Sequence, residues 1–142
     1  MSGGVDGLPP YARALGIEHD PAESEALAAT GWDAPVLAMD FGPEVLGRPG
    51  FLHGGAMAGL LEMAAVAALQ AHLAARGEGD IPRLKPVNVS VNFMRGGREK
   101  RTFAAGRVVR AGRRMANVEA QCWQDARDRL LATAFLNVML RG

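Results

Sequence analysis

The sequence predicts an α+β fold in which one long central helix is wrapped by an antiparallel β-sheet. Residues 54–76 are dominated by alanine, leucine and methionine, which favour helices, and they are apolar on nearly every helical face. Such a helix is expected to be buried almost all round. From residue 83 onward, apolar and polar positions alternate between short turns, as is typical of antiparallel strands. Strands do not alternate with helices, which disfavours a doubly wound parallel sheet.

The 142 residues are expected to form a single domain, because one domain commonly takes about 100–200 residues. Residues 1–16 are interpreted as an N-terminal extension and residues 34–140 as the core. An apolar content of 49% and a net charge of +1 exclude a disordered chain. The longest apolar stretch, residues 54–69, falls short of the roughly 20 residues of a membrane span and contains Glu62, and no secretory signal precedes it. We therefore expect a cytoplasmic protein without membrane contact.

Turn residues and apolar runs predict the order of the elements. Pro9 and Pro10 open a short helical turn, and a polar, acidic stretch follows it over residues 18–34. The long helix should end at Gly77, and Pro82 prevents its return. Strands are predicted at residues 34–41, 87–93, 102–110, 114–123 and 130–140, the later ones as an antiparallel meander.

Two of these strands alternate strictly, which predicts the side chains that face the core. In the first, the apolar residues that share one face are Val87, Val89, Val91 and Phe93. In the second, they are Ala116, Val118, Ala120 and Cys122. Cys122 is the one cysteine, so a disulfide scaffold is excluded, and a buried thiol is favoured there over a nucleophile.

Charge is distributed unevenly along the chain. Residues 1–82 hold 11 acidic and three basic residues, whereas residues 83–142 hold four acidic and 13 basic residues. A basic half indicates an anionic partner, and its arginines favour bidentate phosphate contacts, although genome composition alone also enriches arginine. Nucleic acid is disfavoured as this partner, because few aromatic residues are interleaved with the basic ones.

Several kinds of chemistry are excluded by missing motifs. No serine has the G-x-S-x-G context of a hydrolase elbow, and no glycine-rich phosphate loop is present. His19, His53 and His72 share no ligand spacing with one another or with Cys122, so no metal site is expected. We expect no cofactor.

The remaining candidate site is the segment that opens the long helix. Gly54 and Gly55 leave backbone N–H groups at the positive end of the helix dipole, where a carbonyl oxygen gaining negative charge would be stabilised. Glu62 stands alone in an apolar helix, which is costly for a carboxylate unless it is paired or used. Structural alternatives remain for each residue: an interface acid for Glu62, a backbone-bonded ring for His53, and tight packing for the glycines.

Spacing along the helix indicates a second copy of the chain. Gly55 and Glu62 are seven residues apart, so they lie on one face and about 10 Å apart along the axis. A carbonyl held at the Gly55 amide could not be attacked from Glu62 of the same helix. An antiparallel second helix would bring its own Glu62 alongside, which predicts a dimer with shared sites.

This segment resembles the hotdog-fold acyl-CoA thioesterases, specifically the phenylacetyl-CoA thioesterase-like branch. In that family a long helix wrapped by an antiparallel sheet begins with an HGG motif and carries an acid nine residues after the histidine. Here the run is His53, Gly54 and Gly55, then Glu62. The resemblance spans about residues 35–140.

The resemblance implies hydrolysis of an acyl-CoA thioester to the free acid and CoA. Gly55 N–H would polarise the carbonyl, Glu62 of the neighbouring subunit would act as base or nucleophile, and His53 would position the loop. The resemblance further implies a homodimer or a homotetramer built as a dimer of dimers. Residues expected to contact substrate are Gly54, Arg48 and Phe51, together with Arg95, Arg98, Arg113 and Arg114 as candidates for the CoA phosphates.

The chain departs from the family pattern at three positions. Gly47 lies where many relatives have asparagine, Pro86 falls near a helper serine or threonine, and Gly96 replaces a proline. Either Glu62 works with fewer helpers, or Arg48 takes over a role, or activity is weak. The alternative function is a non-catalytic module that binds acyl-CoA.

Overall fold

The computed structural model describes residues 7–77 and 81–141, which form a six-stranded antiparallel sheet around one long helix. The helices are α1 (Pro10–Ala14), α2 (Pro21–Ala28) and α3 (Gly54–Arg76), with a 3-10 turn at Pro43–Val45. The strands are β1 (Ile17–His19), β2 (Val36–Met39), β3 (Arg83–Phe93), β4 (Thr102–Ala111), β5 (Met115–Trp123) and β6 (Ala132–Arg141). The predicted α+β architecture with a central helix is confirmed.

Helix α3 has the predicted bounds and forms the centre of the core. Thirteen of its 23 residues are buried, and it ends at Gly77, which adopts the left-handed conformation at φ 65°. A Cβ atom at Gly106 of β4 would lie 2.8 Å from the Ala64 carbonyl oxygen, so the helix approaches the sheet as closely as glycine allows. Among the described helices, α3 alone is long and apolar enough to cross a membrane, but 72% of its apolar window is buried within this fold.

The order of the strands is β1-β2-β4-β5-β6-β3, so the predicted meander is confirmed for β4 to β6 but not for β3. Strand β3 pairs with β6 at the far edge of the sheet, because α3 carries the chain across the sheet before β3 begins. The register of β3 shifts between Pro86 and Asn88, which leaves Val87 in a bulge. Pro86 is tolerated since it lies in an edge strand.

The inner face of the sheet carries mostly small residues, which lets the strands close around α3. The four residues predicted to face the core from β5 are all buried: Ala116, Val118, Ala120 and Cys122. The corresponding prediction for β3 is wrong in part, because Val87, Val89 and Phe93 remain 46%, 39% and 57% exposed. Val89 and Phe93 point toward the helical side of the sheet, since they pair with inward residues of β6, yet α3 contacts β3 at few positions and does not cover them fully.

Residues 18–34, which the sequence marks only as a polar, acidic stretch, contain the end of β1 and all of α2. Helix α2 begins where the sequence provides a cap, since the Asp20 carboxylate accepts a hydrogen bond from the Glu23 N–H at 2.9 Å and Pro21 follows the cap. The segment after α2 returns to the outer face of the sheet. There Trp32 donates its indole N–H to the Gly106 carbonyl at 2.8 Å and joins a second apolar cluster with Leu27.

Arg101 joins the beginning of β4 to the N-terminal elements. Its guanidinium donates to Glu18 and Asp40 at 2.8 Å each and to Asp20 at 3.1 Å. Burial alone lowers the pKa of Arg101, but hydrogen bonds from the guanidinium to Asp40, Glu18 and Asp20 outweigh it and raise the pKa above its usual value. The Glu23 N–H above all, together with Arg101, lowers the pKa of Asp20 against the opposing effect of burial.

Replacing Arg101 by glutamine should remove about 1–2 kcal/mol of stability, because three carboxylates lose their common donor. A loss of that size lowers the melting temperature by about 3–8 °C in a domain of this length. Since the Asp20 carboxylate stabilises the fold only while ionised, the difference from wild type should shrink as the pH falls from 7 to below about 4. Thermal melts at pH 7 and pH 3 test this. Lys100→Gln is the matched control, because its pair with Asp125 is exposed and contributes little.

Cys122 should be unreactive in the native protein. Burial raises the pKa of its thiol to about 12, with a small opposing contribution from the Ala132 backbone. At pH 8 the thiolate is therefore only about one part in 10⁴, and the reagent must also reach the core. Labelling with a thiol reagent should follow global unfolding and become immediate in guanidinium chloride. Rapid labelling under native conditions would contradict the packing of β5.

Candidate active site

The candidate site begins at His53, which caps the N-terminus of α3. Its Nδ1 atom accepts a hydrogen bond from the Gly55 N–H at 2.8 Å, and its carbonyl accepts one from the Met57 N–H at 3.1 Å. The preceding loop holds His53 in place, since the His53 N–H donates to the Val45 carbonyl at 2.7 Å. The structure thus gives His53 the backbone-bonded role that the sequence left open as an alternative.

The same hydrogen bond changes the interpretation of Gly55. Its N–H is occupied by the imidazole, so a carbonyl bound there has to replace His53 as the acceptor. A Cβ atom at Gly55 would lie 2.8 Å from Cε1 and 2.9 Å from Nδ1 of His53, so the ring itself requires glycine at this position. At Gly54 an added Cβ would meet the Phe93 ring at 3.5 Å, which is an ordinary contact.

A cavity of about 590 Å³ opens beside the beginning of α3. It brings together five of the residues singled out from the sequence: Arg48, Phe51, His53, Gly54 and Arg95. Its walls are completed by Gly47, Leu52, Met57, Phe93, Met94, Gly96 and Gly97. The absence of a side chain at Gly47 brings that residue against the backbone of His53, where a Cβ would lie 3.1 Å from its Cα. Most of the lining side chains are apolar, and Arg48 and Arg95 add two guanidinium groups. No aspartate or glutamate of the described chain lines the cavity.

Arg98 reaches the same wall through Phe51. The guanidinium carbons of Arg48 and Arg98 lie 4.1 and 4.4 Å from the centre of the Phe51 ring, within the range of cation–π attraction. The Arg98 backbone is held in turn by the Gln124 amide. Arg48 and Phe51 line the cavity, whereas Arg98 does not line it and contacts its wall through Phe51.

Glu62 lies outside the cavity. It is half-buried on α3 between Leu61 and Met63, which are fully buried. Within residues 7–77 and 81–141 no hydrogen-bond or ion-pair partner of its carboxylate is found. One chain therefore presents an unpaired carboxylate that does not reach its own helix N-terminus.

Arg113 and Arg114 also lie apart from the cavity of the same chain. They form the turn before β5, beside the end of β6, where a separate surface hollow includes Met115 and Arg141. The cavity lies at the opposite end of the sheet, where β3 ends at Phe93. Nine residues of β5 separate the two ends by roughly 26 Å. A role of these arginines at the cavity stays a prediction that needs a second chain.

Comparison with known proteins identifies the family. The family model of the acyl-CoA thioesterase N-terminal domain matches residues 43–139, more than half of the chain. The chain belongs to the acyl-CoA thioesterase family. A search of curated proteins gave no match.

Three solved structures are similar in fold to this chain. AziG from S. sahachiroi is 25% identical, with 95% of this chain and 99% of that chain covered at a TM-score of 0.71. A putative thioesterase related to phenylacetic acid degradation from Ralstonia eutropha is 21% identical, with coverages of 94% and 91% and a TM-score of 0.72. The BH2602 protein from Bacillus halodurans, solved with CoA, is 18% identical, with coverages of 96% and 82% and a TM-score of 0.73. The predicted hotdog fold and thioesterase family are thereby confirmed.

Phe93 and Met94 were not placed at the cavity of this thioesterase from the sequence. Phe93 and Met94 lie beside Gly54 because β3 ends next to the helix N-terminus. Alternation along β3 indicated which way Phe93 points, but the pairing of β3 with β6, which sets its position, is not encoded locally.

Because His53 and Gly55 are in contact, substitutions at these two residues should change the free energy of unfolding of the thioesterase non-additively. His53→Ala should cost about 0.5–2 kcal/mol by removing the cap. Gly55→Ala should destabilise the wild-type chain, because its methyl group meets the ring, but should be neutral or stabilising when His53 is already alanine. Denaturant unfolding of the four variants measures this coupling. Gly54→Ala is the control, and equal effects of Gly55→Ala in both backgrounds would contradict the cap.

Proposed function

We propose that this thioesterase hydrolyses an acyl-CoA at the N-terminus of α3, with the Glu62 carboxylate supplied by a second copy of the chain. The observation that carries this proposal is the position of the cavity. The cavity lies against the residues that open α3, so a ligand in it meets the end of the helix where backbone N–H groups and the helix dipole favour a developing negative charge.

In this reaction the thioester carbonyl replaces the His53 imidazole as acceptor of the Gly55 N–H. Glu62 of the second copy removes a proton from water, and the water oxygen bonds to the carbonyl carbon. The resulting oxyanion collapses, the carbon–sulfur bond breaks, and CoA leaves as a thiolate that takes up a proton. If Glu62 instead attacks the carbonyl itself, water then hydrolyses the mixed anhydride to the same products.

Strand β3 supports the presence of a second copy. It is an edge strand of 11 residues whose outer backbone groups lack a strand partner within the described chain. Its inner face exposes Val89 and Phe93, which α3 leaves uncovered. An identical strand added antiparallel would pair these groups and cover these side chains. It would also place the Arg113–Arg114 end of one chain beside the cavity of the other, where the CoA phosphates would bind. Two such dimers would make the tetramer.

A non-catalytic acyl-CoA binding module is the second candidate. The observation that favours it is the hydrogen bond that already occupies the Gly55 N–H. Release of free CoA from a panel of acyl-CoAs, followed with a thiol reagent, separates the two candidates. Binding without turnover would favour the module.

Glu62→Gln should lower kcat by roughly 10²–10⁴-fold while acyl-CoA still binds, because the amide keeps the size of the side chain but cannot accept a proton. Gly55→Ala should also lower kcat, since its methyl group crowds the oxyanion. If the sites are shared, mixing these two inactive variants should restore about one quarter of the wild-type activity through mixed dimers. Both variants must keep the wild-type oligomeric state. A folded Glu62→Gln enzyme with wild-type turnover would make Glu62 a structural acid.

Val89→Lys should weaken the assembly, because a charge on the uncovered face of β3 opposes its burial. We expect wild type to sediment as a dimer or larger and the variant to shift toward a 15.0 kDa monomer. Val109→Lys is the matched control, since Val109 is an exposed valine on β4, away from β3. A monomeric wild-type protein at micromolar concentration would remove the shared site.

A further inference from the structure

We infer that the acyl group of the substrate ends in a negatively charged group, such as the free carboxylate of a dicarboxylic acid monothioester, which Arg48 and Arg98 bind at the rim of the cavity. This inference rests on the proposed function for the location of the thioester. It goes further by naming the chemical class of the acyl group and the residues that select it.

The first observation is a concentration of unpaired positive charge. The guanidinium carbons of Arg48 and Arg98 both lie within 4.4 Å of the centre of the Phe51 ring, so they can be no further apart than twice that distance. Arg95 lines the same cavity. Across residues 7–77 and 81–141, no carboxylate lies within 4.0 Å of any of these three guanidinium groups. Like charges this close repel one another, and a bound anion removes that cost.

Stacking of arginine on an aromatic ring also occurs on the outer face of the sheet, where the guanidinium carbon of Arg107 lies 4.1 Å from the centre of the Trp32 ring. Arg101 binds three carboxylates, and Arg107 lies 3.9 Å from Glu119. These two arginines each have a carboxylate nearby, which Arg48, Arg95 and Arg98 lack within the described residues. At the cavity, stacking of Arg48 and Arg98 on Phe51 orients the planar guanidinium groups and leaves their N–H donors for another acceptor.

Distance decides which anion fits. Between the sulfur of a thioester and the first phosphate of CoA lie 13 bonds, which span roughly 15 Å when extended. Gly54, Arg48 and Phe51 line the same cavity. Arg48 directly follows Gly47, where an added Cβ would lie 3.1 Å from the His53 Cα, so the Arg48 backbone lies within roughly 9 Å of the residue that caps α3. The stack is thus too near the thioester for an extended pantetheine arm to place the phosphates on it. A carboxylate four carbon–carbon bonds from the carbonyl is at a suitable distance.

The apolar walls favour the same class. Met57, Phe93 and Met94 offer no hydrogen-bond donor to the chain that joins the two ends of the acyl group, so a short methylene chain suits them. The arrangement is a helix N-terminus at one end, an apolar middle and guanidinium groups at the other end. A simple acyl chain would leave the guanidinium groups without an acceptor. A site with polar groups discriminates against a substrate analogue that leaves those groups unpaired.

The test compares glutaryl-CoA with pentanoyl-CoA, which differ by a carboxylate in place of a methyl group. The wild-type kcat/KM should be higher for glutaryl-CoA. In Arg48→Met and Arg98→Met the ratio of the two kcat/KM values should fall by about tenfold or more, and Arg48→Lys should keep part of the preference because it keeps the charge. Arg110→Met, which removes an exposed charge of β4 away from the cavity, should leave the ratio unchanged.

Equal losses for both thioesters would assign the stack to CoA or to the catalytic carboxylate and would overturn the inference. A wild-type enzyme without preference for glutaryl-CoA would overturn it as well. If neither thioester is hydrolysed, the proposed function fails, and calorimetry with the stable thioethers S-(4-carboxybutyl)-CoA and S-pentyl-CoA still tests the inference. Tighter binding of the carboxylated analogue that is lost in Arg48→Met supports it, and equal binding of the two analogues overturns it.

Discussion

The packing of one largely apolar helix against a sheet constrains the whole molecule. Helix α3 is about 10 Å wide, while neighbouring strands lie about 4.8 Å apart, so the helix covers few strands at once. It lies closest to β4, where Gly106 lets the two backbones meet, and its other side is covered by the N-terminal segment, with Tyr11 and Leu15 packed against Gly59. It contacts the edge strand β3 at few positions and leaves Val89 and Phe93 partly exposed. The same constraint that builds the core therefore leaves an apolar face and a cavity at the end of β3.

The beginning of α3 combines a structural requirement with a chemical one. A helix N-terminus has N–H groups without intrahelical acceptors, and His53 provides one acceptor through its ring. The same N–H is the donor that an oxyanion would use. The two uses are compatible because their free energies differ. The hydrogen bond of a helix cap stabilises the fold by about 0.5–2 kcal/mol, whereas one oxyanion donor lowers the activation barrier by about 2.7–4 kcal/mol. A developing oxyanion can thus displace the ring at a net gain.

Features of the fold that depend on neighbouring residues could be predicted from the sequence. The limits of α3 follow from composition and from Gly77, and the buried face of β5 follows from alternation. The position of β3 beside β6 depends on pairing between distant residues, which alternation does not encode. Helix α2 was missed because it is short and polar, although Asp20 and Pro21 provided its start signal.

The candidate site shows the same division between local and distant information. His53, Gly54 and Gly55 are adjacent in sequence, so their position at a helix N-terminus could be predicted. Whether His53 caps the helix or leaves Gly55 free could not be predicted, since both arrangements use the same residues. The wall formed by Phe93, and the separation of Arg113 from the cavity, depend on the order of the strands and on how many chains assemble.

The structure shows where the acidic first half and the basic second half of the sequence lie in the fold. Part of it stabilises the fold, because Arg101 from the basic half binds Glu18, Asp20 and Asp40 from the acidic half and so attaches β4 to β1 and β2. The arginines that find no carboxylate in the described chain include those at the cavity rim and those in the Arg113–Arg114 turn. These two groups lie at opposite ends of the sheet, so one chain keeps them apart. An antiparallel second copy along β3 would bring one group of each chain toward the other, which concentrates positive charge where an anionic thioester would bind.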